Sequence, residues 1–212
     1  MNILKLLIPQ FLRQLLKSMI YKFRFNQAKI DCTAGVNKFV AIKKGVVITQ
    51  YCRINNNVSI GEYSHINHNT IIDSGQLGKF CSVGPYCHIG AGLHSTNHIT
   101  TSHYYQMMID PKFKFQSFPN PPNIGSDVWI GSHVCIMQNV NVGDGAVIGA
   151  GSVVTKDILP FAIAVGNPAK TIKYRFTPEE IRMLLNRKWW DTECLDSEVN
   201  LFTSREGFKK HL

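Results

Sequence analysis

Acids are scarce in this chain: 14 Asp and Glu stand against 23 Lys and Arg in 212 residues, and none precedes Asp31. Charged residues make up only 17% and hydrophobic ones 44%, which excludes a wholly disordered chain. Long apolar runs are also missing. Lys5, Pro9, Arg13 and Lys17 interrupt the apolar start, so no run reaches the roughly 18 residues needed to span a bilayer. The same stretch offers no small-residue cleavage site after an uninterrupted apolar core, which argues against a secretion signal. No Cys-x-x-Cys pair is present, which argues against a structural zinc. Six Cys without a compact framework spacing point instead to reduced thiols and a cytoplasmic chain. The length suits one domain with at most a small appendage.

The net charge of +9 invites a nucleic-acid reading, so its location matters. Residues 1–30 carry Lys5, Arg13, Lys17, Lys22, Arg24 and Lys29 with no acid, while residues 41–160 are nearly balanced. A second basic run lies between Lys170 and Arg175. This is not one basic face on a compact domain, and nucleic acid is not an expected partner.

What the chain does have is a six-residue period. Aliphatic residues recur at Ile30, Val36, Ile42, Ile48, Ile54, Ile60, Ile66 and Ile72, slip by one residue, and resume at Leu77, Val83 and Ile89. After a gap they return at Ile124, Ile130, Ile136, Val142, Ile148 and Val154. Ile, Leu and Val fill 51 of 212 positions, so eight in phase by accident has a probability of order ~10⁻⁵. Four positions on stand small or aliphatic residues, among them Ala34, Val46, Cys52, Ser64, Cys81, Cys87, Val134 and Ser152. A period of six is neither the 3.6 of a helix nor the 2 of a strand. It fits a short strand and a tight turn with two inward side chains per unit, and Gly or Asn after the aliphatic residue relaxing the turn.

With this repeat the sequence closely resembles the hexapeptide-repeat acyltransferases. The resemblance implies an all-β solenoid, a left-handed parallel β-helix with three hexapeptides per coil. Nearly six coils at about 4.8 Å per rung would stand roughly 27 Å tall. The left hand comes from the resemblance, since crossovers are otherwise right-handed. The expected organisation is a basic amphipathic helix in residues 1–29, the β-helix in 30–172 with an inserted loop at 94–122, and a helical cap in 173–212.

A 29-residue interruption inside a regular solenoid is a natural binding site. It opens with Gly92-Leu93-His94-Ser95-Thr96-Asn97-His98 and closes with Phe118-Pro119-Asn120-Pro121-Pro122. His94, His98 and His103 admit three readings: metal ligands at irregular spacing, ordinary loop residues, or a general base whose pKa lies near working pH. In the xenobiotic and polysaccharide branch of the family, a Gly-x-His at the mouth of such a loop supplies the base that deprotonates the acceptor hydroxyl. By position that residue is His94, and no metal is expected. A backbone carbonyl and Asp73 are both candidates to orient it.

The block Asn123-Ile124-Gly125-Ser126-Asp127-Val128-Trp129-Ile130-Gly131-Ser132 and the later Gly166-Asn167-Pro168-Ala169-Lys170 resemble the family's coenzyme face. Carried over, Trp129, Ser132, Ala150, Thr155, Lys156, Lys170 and Lys173 would line an acetyl-CoA groove between two subunits of a homotrimer. Small residues admit the pantetheine arm and lysines answer the phosphates. Asn67, Asn69 and Asp73 resemble the acceptor-contacting region.

Phe11, Leu12, Leu15, Leu16, Met19, Ile20 and Phe23 share one helical stripe, with Arg13, Gln14, Lys17 and Lys22 elsewhere. Such a helix lies on an anionic membrane through residues 1–24 or caps the open first coil. Thr177-Pro178-Glu179-Glu180 is a capping box opening a C-terminal helix that the resemblance sets over the end of the prism. The expectation is an acetyl-CoA-dependent O-acetyltransferase acting on a sugar hydroxyl of a bacterial surface polysaccharide or its precursor. The alternatives are an antibiotic acetyltransferase for chloramphenicol or a streptogramin, an amino-sugar N-acetyltransferase, or a non-catalytic scaffold. It is expected in the cytoplasm, with peripheral contact at the inner membrane face.

Overall fold

Residues 9–94, 96–110 and 120–191 are described by the structure, a computed structural model. The first eight residues of the expected helical segment, Ser95 and 111–119 of the loop, and 192–212 of the C-terminal segment lie outside the described residues. Contacts divide the chain into two units, Met1–Phe176 and Thr177–Leu212.

The larger unit is the expected left-handed parallel β-helix. Strands of two to five residues stack into sheets of eight, six and five strands that form three faces. The first face runs from Lys29–Ile30 through His65–Ile66, Ser82–Val83 and Trp129–Ile130 to Ala162–Val165, and closes with the antiparallel Lys170–Tyr174. The second runs from Gly35–Val36 through Ile71–Ile72, His88–Ala91 and Cys135–Met137 to Val153–Val154. The third begins at Ala41–Ile42 and ends at Asn141–Val142.

Parallel pairing joins residues one coil apart, as in Lys29 with Val47 and Arg53 with Ile71. Because each rung repeats the one below, the inward residues form aliphatic columns. From Ile48 to Val154 the aliphatic position of every unit is buried, and so is the position four on, except at Gln76 by the register slip and Leu93 at the loop. Cys52, Cys81 and Cys87 sit inside as small apolar groups, and burial raises all three thiols, Cys81 to about 11. In the first coil Ile30, Val36 and Ile42 are only half-buried, because no coil lies beneath them.

The turns differ from the sequence expectation in one respect. Except at Gly90, the left-handed residue is not the Gly after the aliphatic position but the residue three beyond that position. Tyr51, Asn57, Tyr63, Asn69, Phe80, Tyr86, Asp127, His133 and Asn139 all take φ between 56° and 62° there. The Gly that follows the aliphatic residue answers to a close approach. At Gly131, a Cβ would lie 2.6 Å from the Ala150 backbone nitrogen of the next coil.

Residues Gln10–Arg24 form α1, which sits against the first coil. The Tyr21 hydroxyl donates to the Ala34 carbonyl at 2.8 Å and accepts from the Val36 N–H at 3.1 Å. Within the interruption lies a short helix, α2 (His103–Ile109), that the sequence pattern did not signal. In the smaller unit, α3 (Pro178–Arg187) carries the expected capping box. Thr177 Oγ1 accepts from the Glu180 N–H, and Glu180 Oε2 accepts from the Thr177 N–H at 2.8 Å.

Candidate active site

The loop leaves the prism at the edge between the second and third faces. Its root is Gly90, at φ 69°, where a Cβ would fall 2.3 Å from the Ser74 carbonyl oxygen. Only Gly fits this turn. Gln138, buried one rung further on, holds both ends of the excursion. Its Nε2 donates to the Gly90 carbonyl at 3.0 Å and to Ser74 Oγ at 3.1 Å, and its Oε1 accepts from the Asn120 N–H at 3.3 Å. The Pro122 carbonyl then accepts from the Gln76 N–H, returning the chain to the third face.

His94 stands exposed just beyond that root. Its Nδ1 lies 2.8 Å from the Thr101 carbonyl oxygen. A carbonyl only accepts, so Nδ1 carries the proton and Nε2 presents a lone pair. The orienting group is therefore the backbone carbonyl, not Asp73. The Thr101 segment is itself braced. The Thr100 carbonyl accepts from buried Gln106 Nε2 at 3.0 Å, Thr100 Oγ1 accepts from the Ser102 N–H at 3.1 Å, and Ser102 Oγ caps α2. The His103 ring stacks on His94 with centroids 4.0 Å apart and planes at 19°. Desolvation first, and the charge of His94 second, lower the His103 pKa.

Asp73 is buried on the same edge and fully engaged elsewhere. It accepts from Asn55 Nδ2 at 2.6 Å, His88 Nε2 at 2.6 Å and Arg53 Nη2 at 3.3 Å. Asn55 lies one coil, 18 residues, below Asp73, a spacing from which this pair was legible in the sequence. His88 and Gln138 carry no sequence signal beyond their outward register.

Within one chain the expected site residues divide between two edges. His94, Asp73, Thr155 and Lys156 follow second-face strands, towards the third face. Asn67, Asn69, Ser132 and Ala150 follow first-face strands, towards the second. Asn67 Nδ2 is spent on the Val83 carbonyl at 3.1 Å, and Asn69 is a left-handed turn residue. Ser132 and Ala150 occupy successive rungs, with the Ser132 carbonyl accepting from the Gly151 N–H at 2.8 Å. Trp129 projects from the first face, more than half exposed, and Lys170 and Lys173 lie exposed on the closing strand of that face. Among the described residues, no three His, Cys, Asp or Glu side chains gather as a metal site.

Comparison with known proteins adds independent observations. The family described as bacterial transferase hexapeptide (six repeats) matches residues 121–156. A chloramphenicol acetyltransferase of Klebsiella aerogenes is 42% identical over 127 residues, 57% of this chain and 60% of that protein. The chain thus spans about three fifths of that relative's length. A probable macrolide acetyltransferase of Lysinibacillus sphaericus is 36% identical over 143 residues, 63% of this chain and 79% of its own length. Among solved structures, a serine-to-threonine variant of AntD, an N-acyltransferase from Bacillus cereus in complex with dTDP and coenzyme A, superposes with a TM-score of 0.62. It is 25% identical and covers 78% of this chain and 88% of its own.

Proposed function

Since the chain belongs to the hexapeptide-repeat acetyltransferases, we propose that it transfers acetyl from acetyl-CoA to a hydroxyl, with His94 as general base. The observation that carries this reading is the 2.8 Å contact between His94 Nδ1 and the Thr101 carbonyl. It fixes the tautomer with the proton on Nδ1, which makes Nε2 the nitrogen able to accept a proton. In the reaction, Nε2 takes the acceptor hydroxyl's proton as its oxygen attacks the thioester carbonyl. The tetrahedral species collapses, the carbon–sulfur bond breaks, and the departing thiolate receives the proton from the imidazolium. A positioned base of this kind gives about 10²–10⁴-fold. No acyl-enzyme is needed, and burial keeps Cys81 a protonated thiol, a poor nucleophile.

The coenzyme lies, in this reading, in a groove shared by two subunits of a homotrimer. The division of the site over two edges supports it. Packed prisms set the Thr155, Lys156 and His94 edge of one subunit against the Trp129, Ser132 and Ala150 edge of the next. Lys170 and Lys173 answer the coenzyme phosphates. A monomer that still transfers acetyl groups in analytical ultracentrifugation would remove the shared groove.

The acceptor we favour is a sugar hydroxyl of a bacterial surface polysaccharide or its precursor, modified in the cytoplasm. The water-exposed mouth, where the Thr101 carbonyl and the His103 ring adjoin His94, suits a hydrated acceptor. A second reading, acetylation of an antibiotic hydroxyl, is favoured by the chloramphenicol and macrolide relatives. A screen of free thiol release from acetyl-CoA separates them, with glycans, chloramphenicol, a macrolide and amino-sugar nucleotides as acceptors. Release with glycans is the expected result. Turnover with an antibiotic alone transfers the site to the second reading, and turnover with amines alone overturns the hydroxyl acceptor.

A further inference from the structure

One large surface plays no part in this chemistry. In α1, Phe11, Leu12, Leu15, Leu16, Met19, Ile20 and Phe23 are all exposed, Phe23 to 93%. At about 100° per residue these seven span roughly half the helix circumference. Tyr21, which fastens α1 to the first coil through Ala34 and Val36, projects from nearly the opposite side. The helix therefore caps the coil with its polar side, built of Gln10, Gln14, Ser18 and Tyr21, and turns its apolar side outward. Capping does not account for the stripe.

The charges indicate what does. Arg13, Lys17 and Arg24 flank one margin of the stripe and Lys22 the other, and there is no acid in the helix. Arg24 donates to the Lys38 carbonyl, which brings Lys38 and exposed Phe39 beside the C-terminal end of the helix. Asp31, the nearest acid in sequence, accepts from the Thr33 N–H and hydroxyl at 2.8 and 2.6 Å. A second copy packed stripe to stripe would set these basic margins against each other. A surface that is apolar beneath a sheet of negative charge matches both features, with long basic side chains reaching up to headgroups as the apolar ones sink between acyl chains. No described helix is long and apolar enough to cross a membrane, so an in-plane position is the one available to α1.

The geometry points to α1 as an in-plane anchor that seats the prism, first coil down, on an anionic lipid surface. This inference stands apart from the acyl-transfer reading. The test uses the full chain in co-sedimentation with phosphatidylcholine vesicles, with and without phosphatidylglycerol. Binding is expected to the phosphatidylglycerol vesicles and to weaken with salt. Leu15→Glu/Met19→Glu should lower it at least about tenfold, and Arg13→Gln/Lys17→Gln by about fivefold per charge removed. Leu15 and Met19 lie exposed on the outward stripe, whereas the Lys17 ammonium lies over the Tyr21 ring at 5.6 Å, so unchanged circular dichroism and melting are required of both variants. Acetyl transfer to a soluble acceptor should be unaltered in both. Absence of vesicle binding, or binding equal in the glutamate variant, overturns the anchor. So does a fall in sedimenting mass in that variant without vesicle binding, which would identify a second copy as the occupant.

Discussion

His94 Nδ1 and the Thr101 carbonyl oxygen, 2.8 Å apart, close the first turn of the loop across seven residues of chain. The bond selects the ring tautomer and leaves Nε2 as the basic nitrogen, so a backbone atom does the work that a carboxylate performs in other base-orienting pairs. Replacing His94 by Ala should lower acetyl transfer by at least about 10²-fold while coenzyme binding stays intact. Calorimetry with coenzyme A beside a thiol-release assay checks both halves, and full activity would sink the assignment of the base.

Gln106 should matter without touching substrate. Its Nε2 holds the Thr100 carbonyl at 3.0 Å, one residue before the carbonyl that orients His94. Gln106→Leu removes that bond, worth about 0.5–1.5 kcal/mol, and should reduce kcat by about two- to tenfold. KM for acetyl-CoA should not change. A rise in that KM with kcat preserved would contradict a positioning role.

Gly90 is the tightest point at the loop root. Gly90→Ala places a methyl group against the Ser74 carbonyl and holds a non-glycine residue at φ 69°. The left-handed conformation alone costs about 1–2 kcal/mol, and the clash adds to it. A drop in melting temperature of at least about 4 °C is expected. An unshifted melting curve would show that the root relaxes freely.

Cys81 should leave a mark on alkaline stability. Burial lifts its thiol from the ordinary 9.0 to about 11, so the folded chain holds that proton more tightly than the unfolded one. Its contribution is complete below pH 9 and is lost as pH rises towards 11, with a slope of up to about 1.4 kcal/mol per pH unit. In urea titrations from pH 8 to 11, Cys81→Ala should show a shallower decline than the parent, whatever its stability at pH 8. Equal slopes would mean the thiol is not shielded.

Much of the fold was legible because the solenoid is built from local rules. A six-residue period with paired inward positions requires only neighbouring rungs, so Ile48 through Val154 were assignable to the core one unit at a time. The capping box at Thr177 and Glu180 lies within four residues and was equally open to inspection. The turn chemistry departs from the sequence expectation, since the left-handed residue sits three places after the aliphatic one and here is more often Tyr, Phe or His than Asn. Stacking between coils tolerates those side chains outside the prism, while the conspicuous glycines answer to backbone approach from the next rung.

By itself, the sequence determined the repeat, the place of its interruption, the basic helix at one end and His94 as the histidine at the loop mouth. Each of these is a matter of spacing along the chain. The tertiary structure alone decided that Thr101 rather than Asp73 orients the base, that His103 stacks against it, and that Gln138 clasps both ends of the loop. It also decided that the apolar stripe of α1 faces outward while Tyr21 faces in. Those outcomes depend on which atoms converge once coils stack, and no period in the chain encodes the direction in which a side chain or a carbonyl finally points.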